Sequence, residues 1–209
     1  MNTKITKADF KRHFHYEWPK YLFAAFLACF GWYIIFTITN QVLETEELII
    51  FVGACGINSE TKVEQDLLND LKNFHLKRVE INHHYINEID FPLILLTAGV
   101  ENSDILILDH DSFELFLTSG LAVPISSKIL EKISIDDEYN FYFKDEKPLA
   151  IKIYESMNSS TNIHTNFSWL DFKCDEKDRT FYLVINQNSA FYKKDDLDVI
   201  LEAITYLLK

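Results

Sequence analysis

The chain has 209 residues and a formal net charge of −12. Residues 1–20 are net +3 and residues 21–40 carry no charge, so residues 41–209 sum to −12 − (+3) = −15. A domain this acidic is repelled by phosphate backbones, which argues against a nucleic-acid partner. The sequence has no CxxC pair and no zinc-type spacing of Cys and His, and it predicts neither a metal nor a cofactor.

The first predicted element is a membrane-spanning helix over residues 21–39, which would contact membrane lipid. This stretch has no charged side chain, and as a helix it measures about 28 Å, close to the thickness of the hydrocarbon core. The basic tail, 1–20, precedes it and an acidic stretch follows it. The positive-inside rule therefore predicts a single-pass protein of the cell membrane, with a cytoplasmic N-terminus and an outer domain over 45–209.

Two other interpretations of this segment stay open. A cleaved signal peptide needs a shorter apolar core followed by small residues, and a lipoprotein signal would place Cys29 at the lipid-modified position. The apolar run continues past Cys29 as far as Phe36, which fits both poorly. The pattern favours an uncleaved anchor.

The first half of the outer domain alternates between strands and helices. The continuous apolar run 48–52 and the segment 104–108, in which four apolar residues follow Asp104, indicate strands buried on both faces, as in parallel sheets. Between and after them the sequence predicts a helix over 60–75 with a capping box at Thr61 and Glu64, a strand over 77–82, and short helices over 91–100 and 112–118.

The second half is richer in strands. It predicts strands over 140–144 and 149–154 around a turn at Lys147–Pro148, then a strand over 181–185 and a final helix over 195–208. Together the two halves predict an α/β domain around a mixed sheet, with strands 48–52 and 104–108 parallel and close together.

The residues that carry a family resemblance are LIIFV at 48–52, DILIL at 104–108, SGLAVPIS at 119–126, and FYLVINQNSAFYKKDDLDVILEAITYLL from 181 onwards. These segments resemble the first lobe of type II periplasmic solute-binding proteins. About 55 residues separate Ile125 from Phe181, too few for a second lobe. The resemblance therefore implies a single-lobe, membrane-anchored derivative of that fold.

The resemblance implies a non-enzymatic binding or interaction module outside the membrane, such as an accessory or receptor subunit of an ABC-type transport complex. Its partner would be a membrane protein, for example a transporter permease, and a small solute would bind weakly or not at all. The alternative is a structural partner of another membrane protein with no small-molecule ligand. A hydrolase is the least favoured class, because no nucleophile and base pair can be named.

Candidate ligand-binding residues follow from the position of sites in open α/β sheets, beyond the carboxyl ends of the strands. Those ends lead into Gly53–Ser59 and Asp109–Ser112. The expected ligand contacts are Asn58, Ser59, His110 and Asp111, with Asn58 near His110 along an open edge. The alternative is that these are loop residues and helix caps, with Asp111 or Ser112 capping the next helix.

The cysteines and histidines allow other chemistry that the sequence disfavours. Cys55 and Cys174 are the only pair available in the outer domain; a disulfide and two free thiols both stay open, and free thiols are favoured. His83 and His84 are adjacent on a predicted strand and would point to opposite faces, so at most one can join a shared metal site with His110.

Overall fold

In the computed structural model the described residues are 7–39, 42–58, 60–133, 141–155, 167–173 and 179–208. The chain divides into two compact units, Met1–Val42 and Leu43–Lys209. The first contains helix α1 and the second contains the α/β domain.

Helix α1 runs from Lys7 to Thr39, and its part His15–Thr39 is long and apolar enough to cross a membrane by length and composition. The most apolar stretch of this part of the helix is not buried against any other residues that the structure describes. The hydroxyl of Thr37 donates to the Tyr33 carbonyl at 2.8 Å, so this polar side chain is satisfied within the helix itself. The predicted span, 21–39, lies inside this helix.

The second unit is built on a six-stranded mixed sheet in the order β3-β1-β4-β8-β6-β5. Strands β1, β3 and β4 are parallel to one another. Strand β8 is antiparallel to β4, β6 is antiparallel to β8, and β5 is antiparallel to β6. The α/β class and the parallel, adjacent placement of β1 and β4 are as predicted. The strands are β1 (Glu47–Ala54), β3 (Arg78–Tyr85), β4 (Ile105–Asp109), β5 (Phe141–Lys144), β6 (Lys147–Glu155) and β8 (Thr180–Ile185). A separate two-stranded sheet pairs β2 (Gly56–Ile57) with β7 (Leu170–Asp171).

Helices cover both faces of the large sheet, which is why β1 and β4 are continuous apolar runs. One layer contains α2 (Glu60–Asp70), a 3-10 turn (Leu71–Phe74), α6 (Ser127–Ile133) and α8 (Asp198–Leu208). The other layer contains a helical segment, Phe91–Asn102, and α5 (His110–Thr118). Alternate residues of β1 supply the two cores, Ile50 and Val52 to the first and Phe51 to the second.

The helical segment Phe91–Asn102 joins α3 (Phe91–Ile94), a π-helical turn (Leu95–Gly99) and α4 (Val100–Asn102). A short helix α7 (Ala190–Lys193) precedes α8. Helix α8 packs on α6 and α2, with Leu201 and Ile204 buried as predicted and Leu197 half-buried just before its start. It begins at Asp198, three residues later than predicted, because Asp195 adopts a left-handed conformation with φ +58°.

Two predicted boundaries in the sheet are wrong. The turn between β5 and β6 is at Asp145–Glu146, with φ of +50° and +64°, and Pro148 lies within β6. A two-residue turn with both residues left-handed matches the twist of the paired strands. Strand β3 extends to Tyr85, so both His83 and His84 lie in it.

Candidate functional site

The three predicted ligand residues that the structure describes, Asn58, His110 and Asp111, follow two different strands. His110 is the exposed first residue of α5, with its ring centroid 6.0 Å from that of Tyr182, and Asp111 is exposed in the same turn. Asn58 is exposed, and its backbone N–H donates to the Trp169 carbonyl at 2.8 Å. Ser59 lies outside the described residues. The expected closeness of Asn58 and His110 stays a prediction.

The cap of α5 is Asp109, neither Asp111 nor Ser112. The Asp109 carboxylate accepts a hydrogen bond from the Ser112 backbone N–H at 3.1 Å, and Asp109 has the extended backbone of an N-cap residue. Because Asp109 is also the last residue of β4, the strand runs into the helix with no loop between them. The prediction of a cap at Asp111 or Ser112 was therefore wrong by two or three residues.

A buried ion pair occupies this carboxyl edge, and the sequence analysis missed it. The Nη1 of Arg179 lies 2.5 Å from Oδ2 of Asp109, and the two side chains are 15% and 4% exposed. The Nη2 of Arg179 donates to Oδ1 of Asn87 at 3.0 Å. These contacts join the end of β4, the start of β8 and the loop after β3. A helix-cap preference at Asp109 is the only local signal, since Arg179 lies 70 residues from Asp109 and 92 residues from Asn87 in sequence.

The carboxyl end of β1 is covered by the chain itself, which contradicts the expected open edge. The Cys55 N–H donates to the Asp171 carbonyl at 3.0 Å, and β2 pairs with β7 immediately after it. Phe167 and Phe172 from this segment are buried in the core. Residues 167–173 therefore fill space that a ligand would need beside β1.

Cys55 is disulfide-bonded, so the favoured prediction of free thiols is wrong for this residue. Cys29 is free, and the remaining cysteine of the chain, Cys174, lies outside the described residues. The β2–β7 pairing supplies the physical reason, because it holds the chain up to Lys173 alongside Cys55.

Polar side chains at the opposite edge of the sheet are structural. The Asp104 carboxylate accepts hydrogen bonds from the Ile49 N–H at 2.8 Å and from the Ser189 hydroxyl at 2.5 Å. The Asn186 side chain donates to the carbonyls of Val100 and Ser103 at 2.9 and 2.8 Å. Asn186 and Ser189, which follow β8, thus bind the chain to the amino end of β4 and to the residues just before it.

The region after β3 exposes large apolar side chains in a short stretch of chain. Tyr85, Ile89, Leu93 and Leu96, here called the apolar row, have exposed fractions of 52, 98, 65 and 41%. Within the helical segment Phe91–Asn102 the inward-facing residues are also apolar. The outer face of this helix therefore exposes Leu93 and Leu96, at positions where a surface helix normally carries polar residues.

Within the described part of the chain, no three His, Cys, Asp or Glu side chains come together to hold a metal ion. His83 is half-buried, and burial is the main cause that lowers its pKa below the ordinary value. Burial thus favours the neutral form of His83, whose ring meets that of Tyr85 on the same strand edge-on, with the ring centroids 4.8 Å apart.

No family profile and no curated protein matches the chain. Among solved structures, an ABC substrate-binding protein of Listeria monocytogenes matches at 15% identity and TM-score 0.36, over 52% of this chain and 29% of that one. An N-glycan transport solute-binding protein of Streptococcus pneumoniae matches at 12% identity and TM-score 0.36, over 51% of this chain and 24% of that one. The chain thus covers under a third of either protein. Each match is confined to about half of this chain.

Proposed function

We propose that this chain is a membrane-anchored interaction module whose outer domain, residues 45–209, contacts another membrane protein. The observation that carries this proposal is the exposure of Tyr85, Ile89, Leu93 and Leu96 within twelve residues of chain, because clustered exposed apolar side chains mark interaction sites. An accessory or receptor subunit of an ABC-type transport complex is the assembly we favour. The module is not an enzyme in this proposal.

The placement outside the cell is supported by two independent features. The basic tail, 1–20, favours the cytoplasmic side of the membrane. The disulfide at Cys55 favours an oxidising compartment for the domain that contains it. Helix α1 would then act as an uncleaved anchor through its span, 21–39.

A solute is the weaker candidate as occupant of the carboxyl edge. The proposed contacts Asn58, Ser59, His110 and Asp111 would form one wall, and one wall buries little of a small ligand. The Asp109 carboxylate, next to His110 in sequence, is already paired with Arg179 and accepts a hydrogen bond from the Ser112 N–H. We therefore favour a protein at this edge.

Labelling of intact cells tests the orientation. In a chain carrying Cys29→Ser, a new cysteine at the exposed position Lys147 should react with a membrane-impermeant maleimide, whereas one at Lys4 should react only after the cells are opened. The Cys29→Ser parent gives the background. Labelling at Lys4 with protection at Lys147 in intact cells would reverse the proposed topology.

Purification from native membranes tests the partner. The full chain should co-purify with a second membrane protein, in a fixed ratio, during affinity purification in mild detergent. A chain ending at Val42, which keeps tail and anchor, is the matched control and should not carry it. If both forms purify alone or with the same proteins, the outer domain does not bind a partner and the proposal fails.

A further inference from the structure

We infer that the apolar row and the carboxylates around it bind an apolar surface of a partner protein that is rimmed with Lys and Arg. This inference rests on the proposed function and specifies where the outer domain makes its contact and with what chemistry. It concerns the region between the end of β3 and Asn102.

The apolar row is more exposed than folding alone explains. The same helical segment buries Phe91, Leu95 and Val100 against the sheet, which accounts for its inward face. Outward, Ile89 and Leu93 are 98 and 65% exposed. A helix that exposes large apolar side chains opposite its buried face normally has protein on both sides. Leu93 and Leu96 of the helix, and Ile89 just before it, lack such cover in this chain.

The apolar row is presented by a firmly seated segment. The ring of Phe91 packs directly over Gly53 of β1, where a Cβ would come within 2.5 Å of its Cζ, and lies 6.1 Å from the ring of Phe51. The hydroxyl of Thr97 donates to the Leu93 carbonyl at 2.9 Å, inside the π-helical region. A preformed surface of this kind loses little entropy on binding.

The charge around the apolar row has one sign. Residues 79–127 contain no Lys or Arg and eight carboxylates: Glu80, Glu88, Asp90, Glu101, Asp104, Asp109, Asp111 and Glu114. Of these, Glu88, Asp90 and Glu101 are exposed on the segment that carries the row. Arg179, which reaches Asn87 in this region, is already paired with Asp109. A complementary surface must therefore bring cations to the rim.

The same charges disfavour two other occupants. A second copy of the chain would oppose Glu88, Asp90 and Glu101 with identical carboxylates, and like charges across an interface are costly. A bilayer surface is anionic on average, and helices that lie on it carry Lys and Arg beside their apolar face, which this segment lacks. An apolar protein surface rimmed with Lys and Arg complements both the exposed apolar side chains and the carboxylates around them.

Photo-crosslinking from the full chain in its native membrane tests the location. A benzophenone amino acid in place of Leu93 should form an adduct with one other protein, and the crosslinked peptide should combine apolar residues with Lys or Arg. The control position is Phe143, which is 50% exposed on β5 at the opposite edge of the sheet and should give no such adduct.

Charge reversal tests the chemistry. Changing Glu88, Asp90 and Glu101 together to Lys should weaken the Leu93 adduct by about tenfold or more, since rim charges steer association. The matched control changes Asp66, Asp70 and Glu131 to Lys, which alters net charge equally on exposed residues of the other helical layer. This control should leave the adduct unchanged.

The outcomes separate this inference from the proposed function. An adduct with a membrane protein at Phe143 and none at Leu93 would overturn the inference and leave the proposed function standing. A Leu93 adduct with lipid, with a second copy of the chain, or with a partner that still binds the triple Lys variant would also overturn it. If neither position crosslinks and nothing co-purifies, both fail.

Discussion

Asp104 shows how one buried carboxylate fastens the amino edge of the sheet. It is 5% exposed, and it accepts hydrogen bonds from Ile49 of β1 and from Ser189, which caps α7. Burial raises the pKa of Asp104 to about 6, with Glu47 adding to the rise, while the hydrogen bonds from Ile49 and Ser189 oppose it. The fold therefore binds a proton at Asp104 more tightly than the unfolded chain does.

The raised pKa of Asp104 predicts a pH-dependent stability. Because the folded pKa exceeds the unfolded value of 3.8, the stability from this group is fully present below about pH 4 and is lost as pH rises to about 6. At 1.36 kcal/mol per pKa unit the loss is about 3 kcal/mol at most. Urea unfolding of wild type and of Asp104→Asn at pH 4 and pH 7 gives the free energy of unfolding of each protein. The loss is the change, between the two pH values, in the difference between wild type and variant.

Asp104→Asn cannot titrate, so it serves as the internal reference for all other groups. Relative to this variant, wild type should be more stable at pH 4 than at pH 7. The assigned role of burial would be contradicted if the difference in free energy of unfolding between wild type and Asp104→Asn were equal at the two pH values. It would also be contradicted if that difference favoured wild type more at pH 7.

At the scale of elements, the helical segment Phe91–Asn102 depends on one close approach to β1. Gly53 has no side chain, and the Phe91 ring fills the space above it. Strand β1 and this helix can pack so closely only because position 53 is glycine. The exposure of Leu93 follows, since the inward face of the helix is held by Phe91.

Gly53→Ala should therefore disturb this packing. Its Cβ would lie 2.5 Å from Phe91 Cζ, so the ring or the helix must move, at a cost of about 1–3 kcal/mol in the free energy of unfolding. Gly56→Ala is the matched control, because its Cβ would meet nothing nearer than Asp171 Cβ at 3.4 Å. Thermal melting of both variants checks the prediction, and equal effects would argue against the close approach.

At the scale of the whole molecule, the outer domain is one unit that is closed by a covalent bond as well as by its core. Residues 43–209 form one compact unit, and α8 returns to pack on α2 and α6. Cys55 is disulfide-bonded at the point where β2 meets β7. Both features predict a domain that is stable without the membrane helix.

Residues 45–209, produced alone in an oxidising compartment, should unfold in one cooperative thermal transition. Peptide mapping should find Cys55 joined to Cys174, because Cys29 is absent from this fragment. Reduction, or Cys55→Ser, should lower the free energy of unfolding by about 2–5 kcal/mol, as expected for a disulfide that closes a long loop. Aggregation without any cooperative transition would mean that a partner belongs to the fold.

Local pattern was sufficient for much of the fold. The uncharged run 21–39 predicts a helix long enough to cross a membrane. The apolar runs at 48–52 and 105–108 predict buried parallel strands, and both features depend on neighbours in sequence. The final helix was likewise visible from its apolar spacing, although its start depended on the left-handed Asp195.

The site depended on contacts that no local pattern encodes. The Asp109–Arg179 pair spans 70 residues, and the approach of residues 167–173 to Cys55 and Asn58 spans more than 100, so only tertiary packing brings these groups together. The apolar row depends on tertiary packing too, because the helix that exposes Leu93 is positioned by the packing of Phe91 on Gly53 of β1. The sequence by itself determined which segments are apolar, charged or helical, and the tertiary structure decided which of them remain uncovered.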